Sequence, residues 1–330
     1  MKRVLITGGS GFIGANLARR LLAEGHEVTL LLRPDHDPWR IADIRDDLRV
    51  AEGDLTDGDA VIAAVSAARP DWVFHLAAYG AYASQADPRR AARTNVEGTI
   101  GLLDAAAARG FGAFVYAGTS SEYGLKDHAP AEDEPLEPNS PYAATKVAAT
   151  VYCSYVGRRD GSRVVALRLY SAYGPFEEPS RLIPALIVHS LDGRLPPLAR
   201  PDIARDYVAV GDVCEAFVLA AARGPTGGAV YNVATGVQTS LRELVEIARE
   251  TLGVGQPPAW GSFPDRAWDT NVWIGDATKL RRELGWTPTV TVSEGLPAMA
   301  DWLRRDPALI RRYRNVEPSR ALATPTVRRT

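Results

Sequence analysis

The sequence predicts an α/β protein: a doubly wound parallel sheet followed by a smaller C-terminal α/β lobe. Short, continuous apolar runs such as "RVLITG", "EVTLLL", "DWVFHLA" and "AFVYAG" alternate with helical stretches. Strands that are apolar on both faces belong to a parallel sheet covered by helices on each side. After about residue 174 that rhythm loosens into Pro-rich connections, "GRLPPLARPD" and "GQPPAWGSFPD".

Taken in order, "RVLITG" is a strand and "FIGANLARRLLAEG" a helix, and "EVTLLL" and "LRVAEGD" are the next strands. "DGDAVIAAVSAA" is helical, "DWVFHLA" a strand, "RRAARTNVEGTIGLLDAAAARG" one long helix and "AFVYAG" the following strand. The later part has the helices "SLRELVEIARETLG" and "DATKLRRELG", with no internal repeat and no low-complexity linker. Residues 1–174 are read as the first domain, with later segments returning to it, and 175–315 as the smaller lobe. Residues 316–330 lack periodicity and are expected to form a flexible tail.

The chain of 330 residues is long enough to bury a large core. Its net charge of -2 gives no electrostatic reason to expect nucleic acid or an anionic membrane surface as partner. No apolar stretch approaches the roughly 18 residues of a membrane span, and none suits export, so a cytoplasmic protein is expected. Cys153 and Cys214 are expected to be buried free thiols, and the histidines show no ligand spacing, so no metal is expected.

The first motif is "TGGSGFIG", with Gly8, Gly11 and Gly14 between the first strand and the first helix. Glycines let the backbone approach a pyrophosphate, and the helix N-terminus offers free N–H groups and a positive dipole end. The strand-turn-helix context marks a Rossmann-type dinucleotide site. Roughly 20 residues on, an acid at the end of the second strand would bind the ribose of NAD, whereas an arginine favours the 2′-phosphate of NADP. Here the strand ends in Leu32-Arg33, with Asp35 still able to reach a ribose. NADP(H) is therefore preferred and NAD(H) remains possible. Asp54 and Leu55, in "EGDLTD", either meet the adenine edge or turn the chain.

The second motif is "SPYAATKVAAT", which puts Tyr142 and Lys146 one helical turn apart on one face. A cation near a phenol lowers its pKa and suits it to proton transfer. Upstream, a strand runs into Thr119-Ser120-Ser121, at the end of the sheet where ligands bind.

With these elements in this order, the chain resembles the extended short-chain dehydrogenases/reductases, in their nucleotide-sugar epimerase, dehydratase and reductase branch. The likeness continues through "HLAAYGA", "NVEGT", "LRLYSAYGP", "RDYVAVGDV", "YNVATG" and "LGWTP". It implies a catalytic set of Thr119, Tyr142 and Lys146, with Lys146 also holding the nicotinamide ribose. It adds Phe12, Ile13, Leu76, Ala77, Ala78 and Asn95 to the cofactor contacts. A nucleotide-sugar substrate is implied, met by Tyr79, Ser120, Ser121, Ser171, Arg181, Arg205 and Arg266, the arginines on its phosphates. A homodimer is implied too, built on the helices "RRAARTNVEGTIGLLDAAAARG" and "PYAATKVAATVYCSYVGRR".

The departures bear on the reaction. Sugar 4,6-dehydratases of the branch carry an acidic pair directly after the catalytic Ser/Thr, where this chain has Ser120 and Ser121; Glu122 comes one place late and is expected to point elsewhere. Dehydration is thus disfavoured. The "SSEYG" run resembles the 4-keto-6-deoxysugar reductases, and Ser171 replaces an Asn of many epimerases. The expected reaction is NADPH-dependent reduction of a nucleotide-linked 4-keto-6-deoxyhexose. An NAD-dependent 4-epimerase is the alternative, and a non-catalytic NADP-binding regulator a third reading.

Overall fold

The structure, a computed structural model, describes residues 1–315 apart from Ala83 and Ala267. The tail expected to be flexible lies outside the described residues. The chain opens with β1 (Arg3–Thr7), α1 (Phe12–Ala23), β2 (Glu27–Leu32), β3 (Arg49–Glu52), α2 (Gly58–Ala68) and β4 (Trp72–His75). Next come α3 (Pro88–Ala92), a π-helical turn (Arg93–Glu97), α4 (Gly98–Arg109), β5 (Ala113–Thr119), α5 (Pro141–Asp160) and β6 (Val164–Leu169). The remainder comprises β7 (Ser171–Tyr173), α6 (Leu182–Leu191), β8 (Ala204–Arg205), β9 (Tyr207–Ala209), α7 (Val210–Arg223) and β10 (Ala229–Val233). It ends with β11 (Thr239–Ser240), α8 (Leu241–Leu252), α9 (Thr278–Leu284), α10 (Val292–Arg304) and α11 (Pro307–Arg314).

The main sheet has the order β10-β6-β5-β4-β1-β2-β3, and every neighbouring pair is parallel. The chain winds outward from β1 through β2 to β3, then returns to β4 and winds the other way. The strand order therefore reverses between β1 and β4, and a crevice opens beyond their C-terminal ends. One face of the sheet packs on α1 and α7 through Leu17, Leu21, Phe217 and Ala220. The other packs on α2, α4 and α5 through Val61, Val65, Leu102 and Cys153. Cys153 and Cys214 are both free and buried, in core clusters on opposite faces of the sheet.

The long helix expected from Arg89 to Gly110 is not continuous. Its π-helical turn widens the backbone around Asn95, whose buried side chain spans two segments. Asn95 Nδ2 donates to Tyr79 O (2.8 Å) and Thr145 Oγ1 (2.9 Å), and Oδ1 accepts from Tyr79 N (2.8 Å). This ties the loop after β4 to the first turn of α5.

The later helices α6, α8, α10 and α11 share a separate core around Leu186, Leu244, Leu296 and Leu303. Between them, α7 and β10 return to the main sheet. The segment joining β7 to α6 is pinned: Phe176 lies in the left-handed region at φ 67°. Its carbonyl accepts from Arg40 Nε at 2.8 Å, and its ring centroid is 4.8 Å from that of Trp302. That segment leads into Arg181, the N-cap of α6.

Candidate active site

The glycine turn at the end of β1 fits a pyrophosphate. Gly8 has φ +71°, and a Cβ there would stand 2.6 Å from Ala77 N; a Cβ at Gly14 would meet Gly8 O at 2.3 Å. Larger residues would push β4 and α1 away from the turn. The N-cap of α1, Gly11, makes no side-chain cap, and the first turn holds no acidic residue. The first amides of a helix, left without intrahelical partners, are an anion site. Phe12 and Ile13 open this helix and pack on the core.

Behind the turn a buried histidine fixes the loop Leu76, Ala77, Ala78, Tyr79. His75 Nδ1 lies 2.6 Å from Thr7 Oγ1 and Nε2 lies 2.8 Å from Thr99 Oγ1. Thr99 donates its own proton to Asn95 O at 2.6 Å, so it accepts from His75 Nε2–H, and Nδ1 accepts from Thr7. Thr7 Oγ1 in turn accepts from Ala77 N at 3.3 Å. Burial, then the Lys146 charge, pushes His75 down to about 3, and the ring is neutral.

Past the end of β2, Arg33 Nε is 3.3 Å from Asp35 Oδ1. Asp54 accepts from Thr56 N (2.9 Å) and Thr56 Oγ1 (2.8 Å), a turn-forming pattern. Burial works against its charge, but the Thr56 bonds and the Arg33 charge hold its carboxyl below the usual range. Leu55 is buried beneath.

At the reacting end, Ser140 caps α5 by accepting from Ala143 N (3.1 Å), with Pro141 in the first turn. This sets Tyr142 near the end of β5, where the Thr119 side chain acts on its hydroxyl. Lys146 is buried, with Nζ 4.2 Å from the centroid of Tyr116. Glu122 turns away from the crevice. Its Oε1 accepts from Thr119 N (2.9 Å) and Thr150 Oγ1 (3.0 Å), and its Oε2 from Arg168 Nε (2.9 Å). Ser120 is buried and Ser121 half-buried; Ser121 N donates to Thr119 Oγ1 at 3.2 Å.

Three arginines from distant segments come together. Burial lowers Arg205, and the Arg181 and Arg266 charges lower it further. Arg266 is lowered by burial and also feels Arg181. Arg181 acts on both of the others, so the three guanidinium groups share one region. Asp269 serves two of them: its Oδ1 lies 3.3 Å from Arg205 Nη2, and its Oδ2 accepts from Arg266 N at 2.8 Å. Arg181 also acts electrostatically on Tyr142. Ser171 is half-buried on β7 and donates its N–H to Asp206 O at 3.0 Å. Tyr79 lies under the Arg90 guanidinium, 4.8 Å from its ring centroid.

Residues 4–234 match the model of the NAD dependent epimerase/dehydratase family. The chain belongs to that family. It is 35% identical over 318 residues to a dTDP-glucose 4,6-dehydratase of Streptomyces griseus, covering 92% of this chain and 94% of the relative. It is also 35% identical over 315 residues to a UDP-glucose 4-epimerase of Mycolicibacterium smegmatis, covering 92% and 98%. A GDP-6-deoxy-D-mannose reductase of Pseudomonas aeruginosa is 32% identical over 321 residues, covering 92% and 98%. Among solved structures, the Thermus thermophilus UDP-glucose 4-epimerase in complex with NAD superposes with a TM-score of 0.80 at 32% identity, covering 92% of this chain and 99% of that one.

This epimerase/dehydratase-family member is thus an extended short-chain dehydrogenase/reductase, an NAD(P)-dependent enzyme of nucleotide-sugar modification. One electrostatic expectation needs correcting. Tyr142 is pushed up to about 12, not down: burial dominates, followed by the Glu122 charge, and both outweigh the lowering effect of the Thr119 side chain. Burial conversely brings Lys146 down to about 8 against the Glu122 charge. Tyr142 is therefore a protonated phenol at neutral pH.

Sequence reasoning missed Thr7, His75 and Thr99 of the loop-fixing network, and Arg168 beneath the catalytic strand. "HLAAYGA" contained His75, but nothing local marks a histidine as buried between two threonines. Among the described residues no group of histidine, cysteine or acidic side chains is arranged to hold a metal, and no helix is long and apolar enough to cross a membrane.

Proposed function

We propose that this enzyme reduces the C4 ketone of a nucleotide-linked 4-keto-6-deoxyhexose, using NADPH. The carrying observation is that Glu122 is locked beneath β5 by Arg168 at 2.9 Å and by the Thr119 N–H, which leaves Thr119 and Tyr142, beside Ser120 and Ser121, as the acid/base set. That set moves one proton at one oxygen. It suits interconversion of ketone and alcohol and lacks the second acid/base pair of a dehydratase. When bound, the nicotinamide supplies the hydride. Tyr142 gives its proton to the sugar O4, Thr119 holds that oxygen, and the Lys146 cation favours the phenolate left behind. Arg181, Arg205 and Arg266 hold the diphosphate, for which guanidinium geometry is suited.

A second reading is a 4-epimerase with tightly bound NAD. It is favoured by the 3.3 Å approach of Arg33 to Asp35 and by the nearby Asp54 charge, which together offset the positive charge available to a 2′-phosphate. Incubation with NADPH and a panel of nucleotide-linked 4-keto-6-deoxyhexoses separates the two. Net NADPH consumption supports the reductase. Co-purified NAD, 4-epimerisation of a nucleotide hexose and no NADPH consumption on any ketosugar would overturn it.

The assembly proposed is a homodimer through α4 and α5. In support, α5 leaves Val151 and Tyr155 53% and 48% exposed, large apolar groups on a long surface helix. Sedimentation showing only monomer at working concentrations refutes this.

A further inference from the structure

Glu177 is a carboxylic acid buried under the arginine cluster. It lies four residues before Arg181, and the two meet at 3.5 Å between Glu177 Oε1 and Arg181 Nε, with side chains 4% and 50% exposed. Its Oε2 is buried without a hydrogen-bond partner among the described residues. The backbone holds the carboxyl in place: Glu177 N donates to Gly174 O at 3.1 Å, and Glu177 O accepts from the Tyr313 hydroxyl at 2.7 Å.

The other titratable groups around it offer no compensating charge. Tyr82 from the loop after β4, Tyr173 of β7, Tyr207 of β9 and Tyr313 of α11 all feel the Glu177 charge and are raised chiefly by their own burial. Glu178 repels it and is itself paired with Arg40 at 2.9 Å. Arg181 is the cation that Glu177 touches. Burial pushes the Glu177 carboxyl up to about 8 even with Arg181 opposing.

Arg181 therefore has two competing partners: Glu177 below and, on the functional reading above, the substrate diphosphate in the crevice. We infer that Glu177 is a positioning residue of the substrate site, holding Arg181 while the site is empty and taking a proton from solvent when Arg181 turns to the diphosphate. Withdrawing the cation and adding the anionic diphosphate both disfavour the ionised carboxyl. Binding of a nucleotide sugar is then coupled to proton uptake, and affinity falls as pH rises through about 8, by up to tenfold per pH unit once Glu177 is ionised, roughly the one-proton linkage limit.

The test is calorimetry of UDP-glucose, dTDP-glucose and GDP-mannose binding to protein saturated with whichever of NAD or NADP it binds, near pH 8, in buffers of different ionisation enthalpy. A nucleotide-sugar diphosphate is a diester with no group of its own titrating there. Lys146 titrates in this range but is common to wild type and variant, so the difference between Glu177→Gln and wild type isolates Glu177. The expected result is uptake of up to about half a proton per site at pH 8 in wild type, where the free carboxyl is half ionised, lost in Glu177→Gln and in Arg181→Met, with the Gln variant's affinity no longer falling with pH. Binding by wild type without proton uptake, or full uptake retained in Glu177→Gln, overturns the inference and leaves the nucleotide-sugar reading intact. Failure of UDP-glucose, dTDP-glucose and GDP-mannose alike to bind at any concentration overturns both.

Discussion

Glu122 hydrogen-bonds the backbone N–H of Thr119 at 2.9 Å from inside the protein and meets Arg168 at 2.9 Å with its other oxygen. This carboxylate is thus committed to holding the end of β5. Both members of the pair are buried, at 0% and 4% exposure. Burial raises the Glu122 carboxyl, with Arg168 and the Thr119 N–H opposing.

Breaking this pair from one side is expected to be costly. Glu122→Leu leaves a buried guanidinium uncompensated and should lose about 3–5 kcal/mol of stability. The double variant Glu122→Leu/Arg168→Met should recover much of that loss. Urea unfolding of the three proteins checks both statements; a single variant as stable as wild type would show that the pair contributes nothing.

Tyr142→Phe removes the proton donor while leaving the ring against Gly80, where a Cβ would stand 3.2 Å from that of Tyr142. Turnover should fall by about 10²–10⁴, the usual contribution of a positioned acid, with cofactor affinity unchanged. Steady-state kinetics and cofactor titration measure the two separately. Unchanged turnover would remove Tyr142 from the chemistry.

At the adenosine end, Arg33→Asp should weaken NADPH binding by about 1.5–3 kcal/mol, roughly one to two decades, and leave NADH binding unaffected or improved. Dissociation constants of both cofactors for both proteins decide it. Equal weakening of the two, or a wild type that prefers NADH, makes Arg33 a bystander and favours the bound-NAD epimerase.

His75 makes stability depend on pH with a known sign. Its folded pKa of about 3 lies below the ordinary 6.5, so the unfolded chain binds more protons between those values. The stabilisation is complete above pH 6.5 and is lost as pH falls toward 3. At pH 5 the loss should be about 2 kcal/mol relative to pH 7. A His75→Asn variant, whatever its stability at pH 7, should lack this component of the slope. Urea unfolding at the two pH values reads it, and identical slopes would refute the assignment.

The sequence by itself determined what local spacing encodes. Alternating apolar strands and helices specified the parallel sheet. The glycines of "TGGSGFIG" marked the turn where a Cβ at Gly8 or Gly14 would collide with backbone. Tyr142 and Lys146, four residues apart, had to share a helix face.

Only the tertiary structure decided how distant groups meet and how they titrate. Asn95 reaches Thr145 across 50 residues, and His75 joins Thr7 across 68. Arg181, Arg205 and Arg266 converge from separate segments, with Glu177 beneath. The direction of the Tyr142 shift belongs to the same class. A cation one helical turn away suggested a lowered pKa, yet the phenol is raised because desolvation sums over every atom packed around it. Burial is set by the folded packing as a whole, and no short stretch of sequence contains it.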